Sequence, residues 1–138
     1  SLTISNSIKV SAILHGHPNG ANSYRLEIGN SVIIYCTDIE HPNNSLNPKI
    51  IDFCKDADIL INDAQFTDAQ LPKHKGWGHS SWQQSTALAK KANVKQLILF
   101  HHNPENDDDE IENIEQDAKT IFPNTIAARE GLEITLPN

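Results

Sequence analysis

Ser31-Val32-Ile33-Ile34-Tyr35-Cys36-Thr37-Asp38 is a run of apolar, largely β-branched residues closed by a carboxylate. β-Branched and aromatic side chains suit a pleated, half-buried surface, so residues 31–37 read as a strand with Asp38 just past its end. Immediately upstream, Tyr24-Arg25-Leu26-Glu27-Ile28 alternates and Gly29-Asn30 supplies a tight turn, which makes a hairpin. Further back, Ile8, Val10, Ala12 and Leu14 alternate with Lys9, Ser11 and Ile13, so 7–14 is a second strand arm. The stretch between, His15-Gly16-His17-Pro18-Asn19-Gly20-Ala21-Asn22, is rich in turn residues.

Downstream, Asn44-Ser45 predicts the cap of a helix over 46–56, with Ile50, Ile51, Phe53 and Cys54 inward. Residues 58–62, Asp-Ile-Leu-Ile-Asn, form a short apolar run of the kind buried on both faces. A long loop covers 63–79. Ser80 or Ser81 then caps a helix over 81–92, with Trp82, Leu88 and Ala89 inward. Residues 95–100 are a further apolar strand, ending in His101-His102. The acidic start of 108–121 suits a helix N-terminus. Residues 125–128 and 132–136 read as two closing strands around Gly131. A hairpin followed by alternating helices and strands implies a layered α/β structure with a mixed sheet. Asp38, Asp63 and His101 each follow a strand end, where open α/β sheets bind ligands, so three ionisable groups converge on one rim.

The chain has 138 residues, which fits one domain over 1–138. It carries 18 acidic residues against 11 basic ones, a formal charge of −7. That balance excludes general nucleic-acid binding, which rests on phosphate neutralisation by Lys and Arg. It leaves open a small phosphodiester or nucleotide held through metal ions. No apolar run reaches the roughly 18 to 20 residues a membrane span needs. Cys36 and Cys54 fit no metal-ligand spacing and read as reduced, partly buried thiols of a cytoplasmic protein. The N-terminus has no basic and apolar leader, and the chain has no methionine even at position 1, so an upstream segment is expected.

Several side chains can carry chemistry. His101 closes the strand Leu97-Ile98-Leu99-Phe100 and is held as a metal ligand should be; alone it equally fits a loop histidine. Asp38 can bridge two cations or cap a turn. Glu40 and His41 follow closely enough to orient ligands, and His102 adjoins His101. His15 and His17 form a His-x-His pair beside a turn. His79 lies in Gly76-Trp77-Gly78-His79-Ser80-Ser81, before a helix whose free amides can hold an anion; the bland reading is a packed Trp-Gly turn. Asp63 buttresses a histidine or merely ends its strand. The acidic run 107–115 reads as a solvated helix face.

Four blocks carry a resemblance: Tyr35-Cys36-Thr37-Asp38-Ile39-Glu40-His41, Asn62-Asp63-Ala64-Gln65-Phe66-Thr67, Gly76-Trp77-Gly78-His79-Ser80-Ser81 and Leu97-Ile98-Leu99-Phe100-His101-His102-Asn103-Pro104. In this order and spacing they resemble metallo-β-lactamase-fold hydrolases, in the branch of ribonuclease Z and the phosphodiesterases. The resemblance implies the C-terminal half of an αββα sandwich, with a mixed sheet and helices on one face. It implies two divalent metal ions, zinc first, with manganese or iron as alternatives. Of these residues His17 would bind one ion, Asp38 would bridge, and His101 would bind the other. His15 is the weaker match, because the likeness runs through His17-Pro18. His79 would contact the scissile phosphate or move a proton, and the reaction implied is phosphodiester hydrolysis by a metal-bound hydroxide. The family's His-x-His-x-Asp-His motif is absent here and belongs to the N-terminal half, so the site is incomplete in this chain. The expected partner is that half or a second copy of the chain. The competing reading is a non-catalytic, self-associating structural or regulatory half-domain.

Overall fold

The structure is a computed structural model that describes residues 1–5, 8–42 and 45–136. Seven strands form one sheet in chain order: β1 (Leu2–Ser5), β2 (Ile8–His15), β3 (Ala21–Ile28), β4 (Ser31–Cys36), β5 (Ile59–Asp63), β6 (Gln96–Phe100) and β7 (Thr125–Ala127). The pairs from β1 to β4 are antiparallel, as hairpins and short connections dictate. The pairs from β4 to β7 are parallel. Parallel neighbours need crossovers, and these are α1 (Pro48–Cys54), α2 (Trp82–Lys91) and α3 (Asp108–Ile121). α2 touches α1, α3, β5 and β6, and α3 touches β7, so the three helices form one layer on one face.

The apolar patterns explain this layering. Ile34 and Cys36 of β4, Leu60 of β5, and Leu97 and Leu99 of β6 are fully buried beneath the helices. They pack with Ile50 and Cys54 of α1, Leu88 and Ala89 of α2, and Ala118 of α3. α2 begins with a capping box: Ser81 accepts from the Gln84 amide, and Gln84 accepts from the Ser81 amide. α3 has the same device between Asp107 and Glu110, with Asp108, Asp109 and Glu110 in its first turn.

Three expectations change. The cap of α1 is Asn47, which accepts from the Lys49 amide, rather than Ser45; Asn44 lies outside the described residues. Pro48 explains the later start, since proline fits the first helical turn. Residues 132–136 form no strand: Leu132, Ile134 and Leu136 alternate half-buried with exposed Glu133 and Thr135, but among the described residues no strand pairs with them. β1, which was not foreseen, joins the other edge by pairing with β2.

The sheet's second face is open along β2 to β4, while Ile59 of β5 and Ile98 of β6 are buried on it. Register places Tyr24 beside Tyr35, Leu26 beside Ile33, Tyr35 beside Ile61, and Ile61 beside Ile98, all on the side opposite the helices. Leu14 is 72% exposed, Tyr24 41%, and Tyr35 and Phe100 each 37%.

Candidate active site

Asp38 and His101 occupy equivalent places, two residues after β4 and one after β6, on either side of β5. Both have left-handed backbones, with φ of 56° at each. That region disfavours residues with a Cβ and persists where surrounding structure fixes it. Asp56 and Asn93 share the conformation, but each lies two residues past a helix end, where it is routine. Asp38 and His101 have no such explanation, and both stand on the rim that the parallel strands build.

Their side chains meet. His101 Nε2 lies 3.6 Å from Asp38 Oδ1, and His17 Nε2 lies 3.9 Å from the same oxygen. His17 comes from the turn after β2, so three distant segments converge. His79 completes the group: its ring stacks on His101 at 4.6 Å between centroids and stands edge-on to His17 at 5.8 Å. Two sets have donor atoms close enough to share an ion, His17–Asp38–His79 and Asp63–His79–His101.

Asp63 organises this group from beneath. It has no solvent exposure. Its Oδ2 accepts from the Asp38 amide at 3.0 Å and from His79 Nδ1 at 2.8 Å. Its Oδ1 accepts from the amides of Ser80 at 3.1 Å and Gln65 at 3.2 Å. With Nδ1–H donated to Asp63, His79 presents Nε2 to the rim. Burial disfavours the His79 imidazolium, but the Asp63 hydrogen bond and the negative charges of Asp63, Asp38 and Glu40 outweigh it, so the pKa is raised.

Glu40 acts on the loop rather than on the histidines. Its carboxylate accepts from the amides of Gly76 at 2.9 Å and Gly78 at 2.9 Å, and its own amide donates to the Gly16 carbonyl at 3.0 Å. It therefore ties the His17 turn to the loop carrying His79. Gly78 is required there: its φ is +91°, and a Cβ would lie 2.2 Å from His17 Cδ2. A cleft lined by Glu40, His41, His74, Lys75 and His79, among others, opens beside this loop.

His41, His15 and His102 are buried or half-buried around this group. His41 is 3% exposed; its Nδ1 accepts from the Asn47 amide at 3.4 Å, and burial lowers its pKa to about 4, helped by His15. His15 is buried with no hydrogen-bond partner on either ring nitrogen among the described residues, and burial lowers its pKa. His102 Nε2 lies 3.2 Å from the Ala128 carbonyl, and burial lowers its pKa as well. The structure thus brings His17, Asp38, Asp63, His79 and His101 together, sets Glu40 one step behind, and leaves His41, His15 and His102 in the packing. Sequence reading missed the aromatic support of the loop, where Phe66 stacks on His74 at 4.2 Å and His74 meets Trp77 edge-on at 4.8 Å. Only the Trp-Gly turn hinted at it.

The donor set fits divalent metal. Two imidazoles and a carboxylate suit zinc and other borderline ions. Two ligands of one tetrahedral ion, bonded at about 2.1 Å, stand about 3.4 Å apart, close to the observed 3.6 and 3.9 Å. Three such ligands are too few to satisfy two ions, so further donors are needed.

Comparison with known proteins identifies the family and the fold. A protein family described as "Beta-lactamase superfamily domain" matches residues 1–102. Ribonuclease Z of Gemmatimonas aurantiaca is 38% identical over 82 residues, covering 59% of this chain and 26% of that protein. The crystal structure of the metallo-β-lactamase fold protein YhfI from Bacillus subtilis superposes with a TM-score of 0.76 at 22% identity, covering 94% of this chain and 50% of that one. Human tRNase Z, short form (ELAC1), gives a TM-score of 0.72 at 22% identity, covering 99% and 45%. The chain therefore spans about a quarter of that curated relative and about half of each solved structure. With a family match across most of its length and the fold's strand-end residues gathered on one rim, the chain belongs to the metallo-β-lactamase superfamily.

Proposed function

We propose that this chain is the C-terminal half of a metal-dependent phosphodiesterase, completed by an upstream half that supplies the missing ligands. The observation that carries the reading is the meeting of His17 and His101 on a single oxygen of Asp38. In this reading His17 and His101 each hold one divalent cation, zinc by preference, and Asp38 serves both. The cations supply Lewis-acid charge and a water of lowered pKa. Asp38 is fixed for its task by its own amide, which donates to buried Asp63. His79 has its Nδ1–H committed to Asp63, so its Nε2 faces the phosphate. In protonated form it donates to the leaving oxygen or stabilises the charged phosphoryl group. Its raised pKa keeps that form populated nearer neutral pH.

The name of the ribonuclease Z relative supports an RNA phosphodiester as the substrate class. The acidic balance argues that such a substrate is recognised locally at the site rather than along a basic surface. The free, buried Cys36 and Cys54 support a reducing, cytoplasmic setting. A second reading, a self-associating half-domain without chemistry, is favoured by the open apolar sheet face, which a second copy could cover in place of the upstream half. One experiment separates them. The full-length protein with added zinc or manganese hydrolyses bis(p-nitrophenyl) phosphate, and Asp38→Ala abolishes the activity; turnover that survives the substitution rejects the assignment.

A further inference from the structure

The turn that carries Trp77 is built more rigidly than its exposure requires. Trp77 is 57% exposed, the most exposed aromatic side chain among the described residues. It lies between Gly76 and Gly78, both in left-handed conformations with φ of +85° and +91°. Both glycine amides donate to the Glu40 carboxylate, so the backbone on either side of the indole is pinned to the floor of the site. The ring is also buttressed, because His74 meets it edge-on at 4.8 Å and Phe66 stacks on His74 at 4.2 Å. The same aromatic chain runs on to the site, since Phe66 meets His79 edge-on at 6.2 Å. An indole held this firmly in solvent has lost freedom in advance of binding, which is what preorganised recognition requires.

Its surroundings indicate the kind of ligand. Trp77 is two residues from His79, so the two backbone positions are within about 7 Å of each other. Lys73 and Lys75 lie just before the turn and are exposed, in a chain whose net charge is −7. The cleft that begins at His79 runs to His74 and Lys75 at the foot of the same turn. A planar, uncharged ring joined to an anionic backbone matches an exposed indole that follows two exposed lysines in the chain.

We propose that the indole of Trp77 is a stacking platform for a nucleobase of the phosphodiester whose phosphate lies at the Asp38 rim. This rests on the phosphodiesterase reading and adds to it the residue that holds the base, which selects a nucleotide ester over a simple alkyl or sugar phosphodiester. The contact reads the face of a base and not its edge, so it favours nucleosides over alkyl groups without distinguishing among bases.

The test uses the full-length protein with zinc and two esters sharing one leaving group, thymidine 5′-p-nitrophenyl phosphate and methyl p-nitrophenyl phosphate. The wild type prefers the nucleoside ester in kcat/KM. Trp77→Ala lowers that preference about tenfold, and Trp77→Phe retains most of it. An unchanged preference in Trp77→Ala overturns the proposal, including the case in which both esters suffer equally because the loop has collapsed. If the wild type hydrolyses neither ester, the phosphodiesterase reading fails by itself, and indole fluorescence decides the platform alone. Adenosine 5′-monophosphate then quenches the wild-type emission and ribose 5-phosphate does not, while Trp77→Phe, left with buried Trp82 as this chain's remaining tryptophan, shows no quenching. Equal response to both ligands, or to neither, overturns the platform, as it does if an upstream segment covers the indole.

Discussion

The Asp63 carboxylate is fully buried, and each of its oxygens accepts two hydrogen bonds, one set from the amides of Gln65 and Ser80 and the other from the Asp38 amide and His79 Nδ1. The first pair ties down the loop after β5 and the entry to α2. The second pair fixes the backbone of one proposed ligand and the tautomer of the proposed proton donor. An asparagine at this place is the informative change, because it keeps the size and removes half of the acceptors. Its amide oxygen can still serve one pair of donors. Its NH2 group must then face the other pair, and placed toward Asp38 and His79 it sets donor against donor. Asp63→Asn is expected to lower kcat of the full-length enzyme about 100-fold or more, in line with other histidine-orienting carboxylates, with a smaller effect on KM. His79 should also lose its Nδ1–H tautomer, which 15N NMR of the imidazole reports. Unchanged kcat together with an unchanged tautomer contradicts the role.

The connection from β4 to α1 shows how an element without regular structure can still be periodic. Thr37, Ile39 and His41 are buried, while Asp38 and Glu40 between them are partly exposed. Cys36 and Thr37 are both buried, so the alternation slips by one residue at the strand end and resumes with Ile39 in the core and the two carboxylates facing the site. This explains why Asp38 and Glu40 were legible together and why His41, in the same block, takes a different part. Strands β4, β5 and β6 were legible because short, dense apolar runs bounded by polar and turn residues have few other solutions. The left-handed backbones of Asp38 and His101 carry no sequence signal, because packing around the strand ends imposes them. Residues 132–136 misled for a related reason: alternating Leu132, Ile134 and Leu136 do sink toward the protein, yet a strand also needs a neighbour to bond. His41 offers a check on the connection. Its pKa is lowered to about 4 from an ordinary 6.5, chiefly by burial. The folded state therefore binds this proton less readily than the unfolded state. The stability concerned is fully present above pH 6.5 and is lost as pH falls from there through about 4, by about 3 kcal/mol at the acid end. His15, also lowered by burial, acts in the same direction, and His79, raised, acts against it. Urea unfolding of the wild type should weaken across this window, and His41→Gln should flatten the dependence. An identical slope in the variant places the acid sensitivity elsewhere.

At the scale of the whole molecule the helices cover one side of the sheet, and the other side is open along β2 to β4. The molecule's accessible surface is 8027 Å², against about 7,100 Å² expected for a compact monomer of 15.3 kDa. The excess is in keeping with the open face, where the cross-strand pair Tyr24 and Tyr35 sits beside half-buried Leu26, Ile33 and Ile61. Contiguous apolar surface of this kind draws a cover in water. In the proposed two-half protein the upstream half provides it, and the 138-residue chain expressed alone must find a substitute. Sedimentation of the isolated chain at micromolar concentration should give a mass of at least twice 15.3 kDa. Two lysines at the centre of the face, Tyr24→Lys with Tyr35→Lys, should shift it toward the single-chain mass. Both side chains stand opposite the helical layer, so helix content should persist through the change. Far-ultraviolet circular dichroism separates that result from unfolding. An isolated wild-type chain that sediments as one copy and melts cooperatively needs no cover, and the pairing of this sheet with an upstream half then loses its physical basis.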